Sequence, residues 1–334
     1  MAVFSRELGI DLGTMNTVIV EGNQVVLMEP TVAAVVVNER KMVEWGQSAR
    51  DMMGRVSESI EVLRPLQNGV IAEYSVTELL MSEMIRKVGG SRFLSSRKIA
   101  VTTPYGVTSV ERRAVEAVAL ISSREVYIVS QPIAAALGVD LPIGTPTGNM
   151  IISMGGGTHQ AAVMAMWDIV TGETAKTGGL ALDEAISTYI RKKFGVIIGQ
   201  PTAEKLKISI GSAIQNDDQR SMEIQGQDQV TGLPKPVNIT RDDIVDALAP
   251  PLTDLVNMIR HVLEKTPPEL ISDIIDRGVA LCGGGAMLAG IDKYLTKALG
   301  IPAYLVDNPM TCTAEGAAKA LAMKNVLKRS LIRV

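Results

Sequence analysis

Met150-Ile151-Ile152-Ser153-Met154-Gly155-Gly156-Gly157-Thr158, followed by Ala161-Ala162-Val163-Met164, repeats the plan of Leu8-Gly9-Ile10-Asp11-Leu12-Gly13-Thr14, followed by Thr17-Val18-Ile19-Val20. Each stretch reads as an apolar strand, a tight glycine turn and a second apolar strand, with the hydroxyl of Thr14 or Thr158 beside the turn. A third turn, Cys282-Gly283-Gly284-Gly285-Ala286, leaves another apolar strand. Glycine lets the backbone approach a ligand and adopt positive φ, so successive N–H groups can converge on an anion such as phosphate. One such turn is compatible with an ordinary hairpin. Three of them, spread over a two-part chain, point to a nucleotide gripped between two domains.

Length and composition support a large globular protein and exclude several classes. The 334 residues exceed one typical domain, and 46% hydrophobic content is ample for sizeable cores. A net charge of −3 provides no general pull toward nucleic acid, and 3% aromatic content leaves little for base-stacking platforms. Cys282 and Cys312 have neither metal-ligand spacing nor the density of a disulfide scaffold, which fits a reducing cytoplasm; Cys282 is expected to be small and buried. Apolar runs such as 32–37 are too short to span a bilayer, and Ser5-Arg6-Glu7 interrupts the N-terminus too early for a signal peptide.

Strands and helices alternate in the manner of an α/β protein. Strands are expected at 7–11, 17–21, 24–28 and 32–37, with Gly22-Asn23 as a hairpin turn, then at 99–102 and 125–129. Helical periodicity covers 76–88 and 110–121, and Pro132 suits the first turn of a helix over 132–137. Pro142, Gly144, Pro146 and Gly148 mark a linker. Beyond it come helices at 182–194 and 202–210 and strands near 222–224 and 237–239. Thr240 is expected to cap a long helix to about Leu263 that Pro250-Pro251 must kink or break. A strand at 278–282 and a final helix over 311–327 complete the pattern.

Gly9-Ile10-Asp11-Leu12-Gly13-Thr14-Met15-Asn16-Thr17, Val110-Glu111-Arg112-Arg113-Ala114, Pro132-Ile133-Ala134-Ala135-Ala136, Thr202-Ala203-Glu204-Lys205-Leu206-Lys207 and Thr266-Pro267-Pro268-Glu269-Leu270 resemble the MreB family of bacterial actin-like cell-shape proteins, from about Glu7 to Leu327. The resemblance implies an actin-like ATPase fold, two duplicated α/β domains each bearing a smaller subdomain around a nucleotide cleft. Domain I would cover 1–145, with its smaller subdomain at about 33–75 and a membrane loop at about 89–98. Domain II would cover 146–334, with its smaller subdomain at about 180–242 and the last helix returning toward domain I. It further implies ATP or ADP with Mg2+, protofilaments on the inner face of the cytoplasmic membrane, and membrane-embedded cell-shape or wall-synthesis partners.

Carried over by position, Asp11, Gly13, Thr14, Met15 and Asn16 match the first phosphate loop, with Asp11 facing a hydrated magnesium, which takes few protein carboxylates. Gly155, Gly156, Gly157 and Thr158 match the second, with His159 beside it. Glu204, Lys205 and Lys207 match the ribose and adenine segment, although Glu204 and Lys207 by spacing alone are a solvated ion pair. Gly283, Gly284, Gly285 and Ala286 match the loop along the nucleoside and α-phosphate. The chain departs from the family where acids are expected: Ser153 replaces an aspartate, His159-Gln160 replace Thr-Glu, and Ser130-Gln131 replace Glu-Glu. Serine and glutamine accept protons or hold metal-bound water far less well than carboxylates, so hydrolysis is expected to be weak, with Gln131 the remaining candidate to position water. His159 is read as a partly exposed strand residue rather than a base.

Phe93 and Leu94, in the glycine- and serine-rich stretch 89–98 with flanking bases, are the membrane candidates by resemblance; the basic, apolar-interleaved tail 324–334 is a second. A nucleotide-locked scaffold filament with another role remains an alternative, and a small-molecule kinase of the same fold a distant one that lacks a candidate base. A chaperone would need a peptide-binding domain, and a dinucleotide dehydrogenase a G-x-G-x-x-G opening a helix.

Overall fold

In the computed structural model, which describes residues 6–89, 97–215, 217–218 and 220–334, the two glycine hairpins found in the sequence open two related sheets. The first half runs β1 (Arg6–Leu12), β2 (Asn16–Glu21), β3 (Gln24–Pro30), β4 (Ala33–Val36), β5 (Lys41–Trp45), α1 (Gln47–Asp51), β6 (Ile60–Leu63), β7 (Leu66–Gln67), β8 (Val70–Ile71), α2 (Tyr74–Gly89), β9 (Arg97–Thr103), α3 (Ser109–Ser122), β10 (Glu125–Ser130) and α4 (Gln131–Gly138). The second runs β11 (Asn149–Met154), β12 (His159–Ala165), β13 (Asp168–Ala175), α5 (Gly179–Phe194), β14 (Val196–Ile197), α6 (Gln200–Ile210), β15 (Ser221–Asp228), β16 (Pro234–Thr240), α7 (Arg241–Glu264), α8 (Pro268–Arg277), β17 (Val279–Cys282), a 3-10 turn (Gly284–Met287), α9 (Ile291–Leu299), β18 (Ala303–Leu305), α10 (Cys312–Ala322) and β19 (Leu331–Arg333).

The main sheets are ordered β19-β10-β9-β1-β2-β3 and β13-β12-β11-β17-β18. In each, a three-stranded antiparallel meander continues into two parallel strands: β3-β2-β1-β9-β10 matches β13-β12-β11-β17-β18. Strands covered on both faces are buried at every position, and β11 and β12 are buried along their whole length. Smaller sheets, β5-β4-β6 in the first half and β14-β15-β16 in the second, stand beyond the main ones.

The last helix ties the halves together. α10 packs on α4 and β1, and the approach is so close that a Cβ on Gly316 would collide with the Ala134 carbonyl and one on Gly138 with the Cys312 carbonyl. Ala317, Ala320 and Leu321 join Ile133–Leu137 and residues of both main sheets in one core.

Two expectations are corrected. Pro250-Pro251 does not break α7, which runs as one 24-residue helix. Leu248, Leu252, Leu255, Val256, Ile259 and Val262 bury one face of it, while Pro250 lies on the exposed side and Thr253 Oγ1 donates to the Ala249 carbonyl at 2.8 Å. Tertiary packing outweighs the lost backbone bonds. The final helix stops at Ala322, and the chain then returns as β19, antiparallel to β10 with Val129 opposite Leu331. Within the tail read as a second membrane candidate, residues 331–333 form this edge strand and Lys324, Lys328 and Arg329 are exposed. Thr240 caps α7 as expected, in a reciprocal capping box with Asp243.

Candidate functional site

All three glycine turns border one cavity of about 560 Å³. Its floor is formed by Asp11, Gly13, Thr14, Met15 and Asn16 from the first hairpin, by Gly155–Thr158 from the second, and by Gly283, Gly284 and Gly285 beyond β17. The hairpin turns touch: a Cβ on Gly156 would strike the Met15 side chain, and one on Gly157 the Thr14 side chain. A side chain at Gly156 would have to displace the Met15 side chain. The second turn is held from behind by α5, where Gly179 N donates to Gly155 O at 3.0 Å and Leu180 N to Gly156 O at 2.9 Å. Gly283 sits at φ 83°, where its missing Cβ lets it lie against the Met154 backbone.

At the inner end of the cavity Asp11 is the acceptor of a chain of neutral groups. Thr102 Oγ1 donates to Asp11 Oδ1 at 2.5 Å and Gln131 Nε2 to the same oxygen at 3.1 Å. Gln160 Nε2 donates to Gln131 Oε1 at 2.5 Å, and Tyr105 N to Gln160 Oε1 at 2.9 Å. Burial raises the Asp11 carboxyl above the usual carboxylate range, and the Thr102 and Gln131 donors partly offset this. Both ends of the Gln131 amide are engaged within the protein. It serves first as a strut between Asp11 and Gln160. Ser153 occupies in β11 the place that Asp11 occupies in β1, two residues before the turn, and its register partner is Cys282. The hydrogen bond with the Cys312 thiol, together with burial, holds the Cys282 thiol well above its ordinary pKa, so it is a neutral packing group.

The outer wall comes from α6. Lys207 Nζ lies 2.6 Å from Asp183 Oδ1 and donates to the Gly179 carbonyl at 2.8 Å, which fixes it beside the second turn. Glu204 faces the cavity and pairs through Oε2 with Arg50 Nη2 at 2.7 Å. Ile208 and Met287 add exposed apolar surface to the lining.

Three expected site residues fall outside the lining. Lys205 is exposed, because the helix rotates it away from the face shared by Glu204 and Lys207. Ala286 is buried within the 3-10 turn. His159 is not partly exposed but buried at 1%. It shares a strand face with Ala161 and Val163, which belong to the core formed with α5, α6 and α7. Neither ring nitrogen has a hydrogen-bond partner among the described residues, and burial, with a smaller contribution from Lys207, pushes its pKa down to about 4. Phe93 and Leu94 lie outside the described residues.

Sequence reasoning missed Gly178-Gly179 as part of the site. The signal was present: a glycine pair directly before helical periodicity marks a close approach, and a Cβ on Gly178 would meet the Gly155 and Gly156 carbonyls. Gly69, whose N donates to Thr14 Oγ1 at 3.0 Å, had no such local signal.

This geometry has close counterparts. The crystal structure of MreB5 of Spiroplasma citri bound to AMPPNP superposes with a TM-score of 0.92 at 33% identity, over 97% of this chain and 99% of that one. The MamK double helical filament has the same fold, with a TM-score of 0.80 at 18% identity over 95% of this chain and 98% of that one. In sequence, the cell shape-determining protein MreB of Pasteurella multocida is 42% identical over 330 residues, 96% of this chain and 94% of the relative. A family model described as MreB/Mbl protein matches residues 5–329. With this actin-like fold, and with relatives named for cell-shape determination, the chain belongs to the MreB/Mbl family.

Proposed function

We propose that the chain is an ATP-binding actin homologue that forms filaments on the inner face of the cytoplasmic membrane and helps determine cell shape. The observation that carries this reading is the convergence of three glycine turns and Asp11 on a single cavity. The AMPPNP-bound relative supports an adenine nucleotide there, and the filament of the MamK homologue supports assembly by this fold. A non-closing head-to-tail contact is the geometry that generates such polymers. The inferred halves, 1–145 and 146–334, would close on the nucleotide, with the subdomains at about 33–75 and 180–242 as the upper jaws. Among the described residues no helix is long and apolar enough to cross a membrane. Peripheral attachment through Phe93 and Leu94, to lipid and to membrane-embedded partners, is the matching proposal.

The donor set fits a hydrated Mg2+. Asp11 Oδ1 takes both internal hydrogen bonds, leaving Oδ2 for a metal-bound water, and no group of three or more His, Cys, Asp or Glu among the described residues could hold a bare ion. When bound, the ion would neutralise phosphate charge. The chain's own backbone amides and Lys207 would orient the phosphates. Gln131 and Gln160 can hold a water in place but cannot take its proton. This supports weak hydrolysis and makes a nucleotide-locked scaffold filament the second reading. Sedimentation and electron microscopy with AMPPNP test the assignment. Polymer is expected with nucleotide, and a strictly monomeric protein across concentration and nucleotide would overturn it.

A further inference from the structure

Arg50 and Glu204 are 154 residues apart in sequence, yet their side chains meet at 2.7 Å. Arg50 stands on α1, beside the small sheet β5-β4-β6, and Glu204 on α6, beside β14-β15-β16. The contact therefore joins the two upper jaws across the mouth of the cavity. It uses only Oε2 of Glu204, a residue that lines the cavity, while the Glu204 side chain is 11% and that of Arg50 34% exposed. A charge-assisted bond in such a setting is shielded from water on one partner and is stronger than an open surface pair.

Arg64, just before β7, is the second cation at this junction. Burial lowers its pKa, with Glu204 and Asp183 opposing the shift, and its two terminal nitrogens are buried without a hydrogen-bond partner among the described residues. Arg50, Arg64 and Lys207 thus stand against two carboxylates, Glu204 and Asp183. The positive excess suits a polyanionic nucleotide beneath it.

We propose that Arg50–Glu204 is a latch that holds the two jaws together over bound nucleotide. The latch rests on the nucleotide-site reading above. It makes residence time, rather than capture, the quantity that Arg50 controls. The ion pair also makes closure sensitive to salt, because screening weakens its exposed side.

Two measurements test this. In the first, release of a fluorescent ADP analogue is followed by stopped flow for the wild type, Arg50→Glu and Arg50→Lys. Arg50→Glu should release nucleotide at least about ten-fold faster, because it replaces a partly buried charge pair with two repelling carboxylates and so acts on the off-rate. Arg50→Lys should restore most of the retention, and only wild type and Arg50→Lys should release faster in high salt. In the second, spin labels at Glu58→Cys and Lys192→Cys, both exposed, report jaw separation; Cys282 and Cys312 are buried and stay unlabelled. Arg50→Glu should lengthen or broaden that distance. Unchanged release and unchanged distance would overturn the latch. A wild type that binds no nucleotide would instead overturn the site assignment, and the label distance would still decide whether Arg50 ties the jaws.

Discussion

His159 makes this protein lose stability in acid, and the sign and size follow from where it sits. Its imidazole is buried at 1% with both nitrogens unpartnered among the described residues, and burial lowers its pKa from 6.5 to about 4. Above the unfolded value both states hold a neutral ring and nothing is lost. As pH falls below that value the unfolded chain takes up a proton that the native site refuses, so stability drops until the native pKa is reached. A shift of about 2.5 units corresponds to about 3 kcal/mol in full, of which roughly 2 kcal/mol is gone by about pH 5. His159→Leu, similar in volume and matched to neighbours Ala161 and Val163, removes both the titration and the unpaired nitrogens. It should be more stable than wild type by about 1–3 kcal/mol near neutrality, and the gap should widen in acid. Urea unfolding midpoints followed by tryptophan fluorescence between about pH 7.5 and 5 provide the assay, because carboxylates shared by both proteins cancel in the difference. Midpoints that fall in parallel for both would refute the reasoning.

Two further outcomes are expected. Phosphate release from Ser153→Asp, Gln131→Glu protein should exceed that of wild type by about 10²-fold or more if the missing acids limit hydrolysis; a folded variant with no gain would place the limit elsewhere. Filaments of Phe93→Ser, Leu94→Ser protein should float poorly with anionic liposomes compared with wild-type filaments. Each apolar side chain supplies only about 1.5–3 kcal/mol, which polymerisation multiplies. Equal flotation would move attention to the exposed bases Lys324, Lys328 and Arg329.

What could be read from the sequence was local. The two hairpins declared themselves because strand, glycine turn and strand lie within fifteen residues, and their repetition anticipated the shared sheet plan. The short strands β5 to β8 escaped, since their two- to five-residue segments carry no clear period. β19 escaped for a different reason: it is defined by β10, about two hundred residues earlier, and three residues cannot announce such a partner. His159 was within reach, because counting in twos from Ala161 and Val163 assigns it to the core face of its strand.

The site shows the same division between local and long-range information. Glycine identities marked the floor of the cavity, where close backbone approach dictates residue type. The Asp11–Gln131–Gln160 chain and the Arg50–Glu204 contact each join distant segments, and no spacing rule contains them. The repeat nevertheless allows one step that neither sequence nor contacts provide alone. Asp11 and Ser153 occupy equivalent places on β1 and β11, so the pseudo-symmetric floor carries a carboxylate on one side and a hydroxyl backed by a neutral thiol on the other. A cation drawn to this floor is therefore drawn to the first half alone. Gln131 and Gln160, which stand between the two sides, cannot relay a proton from one to the other. On the proposed reading a metal is recruited through Asp11 while Ser153, Gln131 and Gln160 supply no acid to take a proton from water, so nucleotide binding would persist where turnover does not.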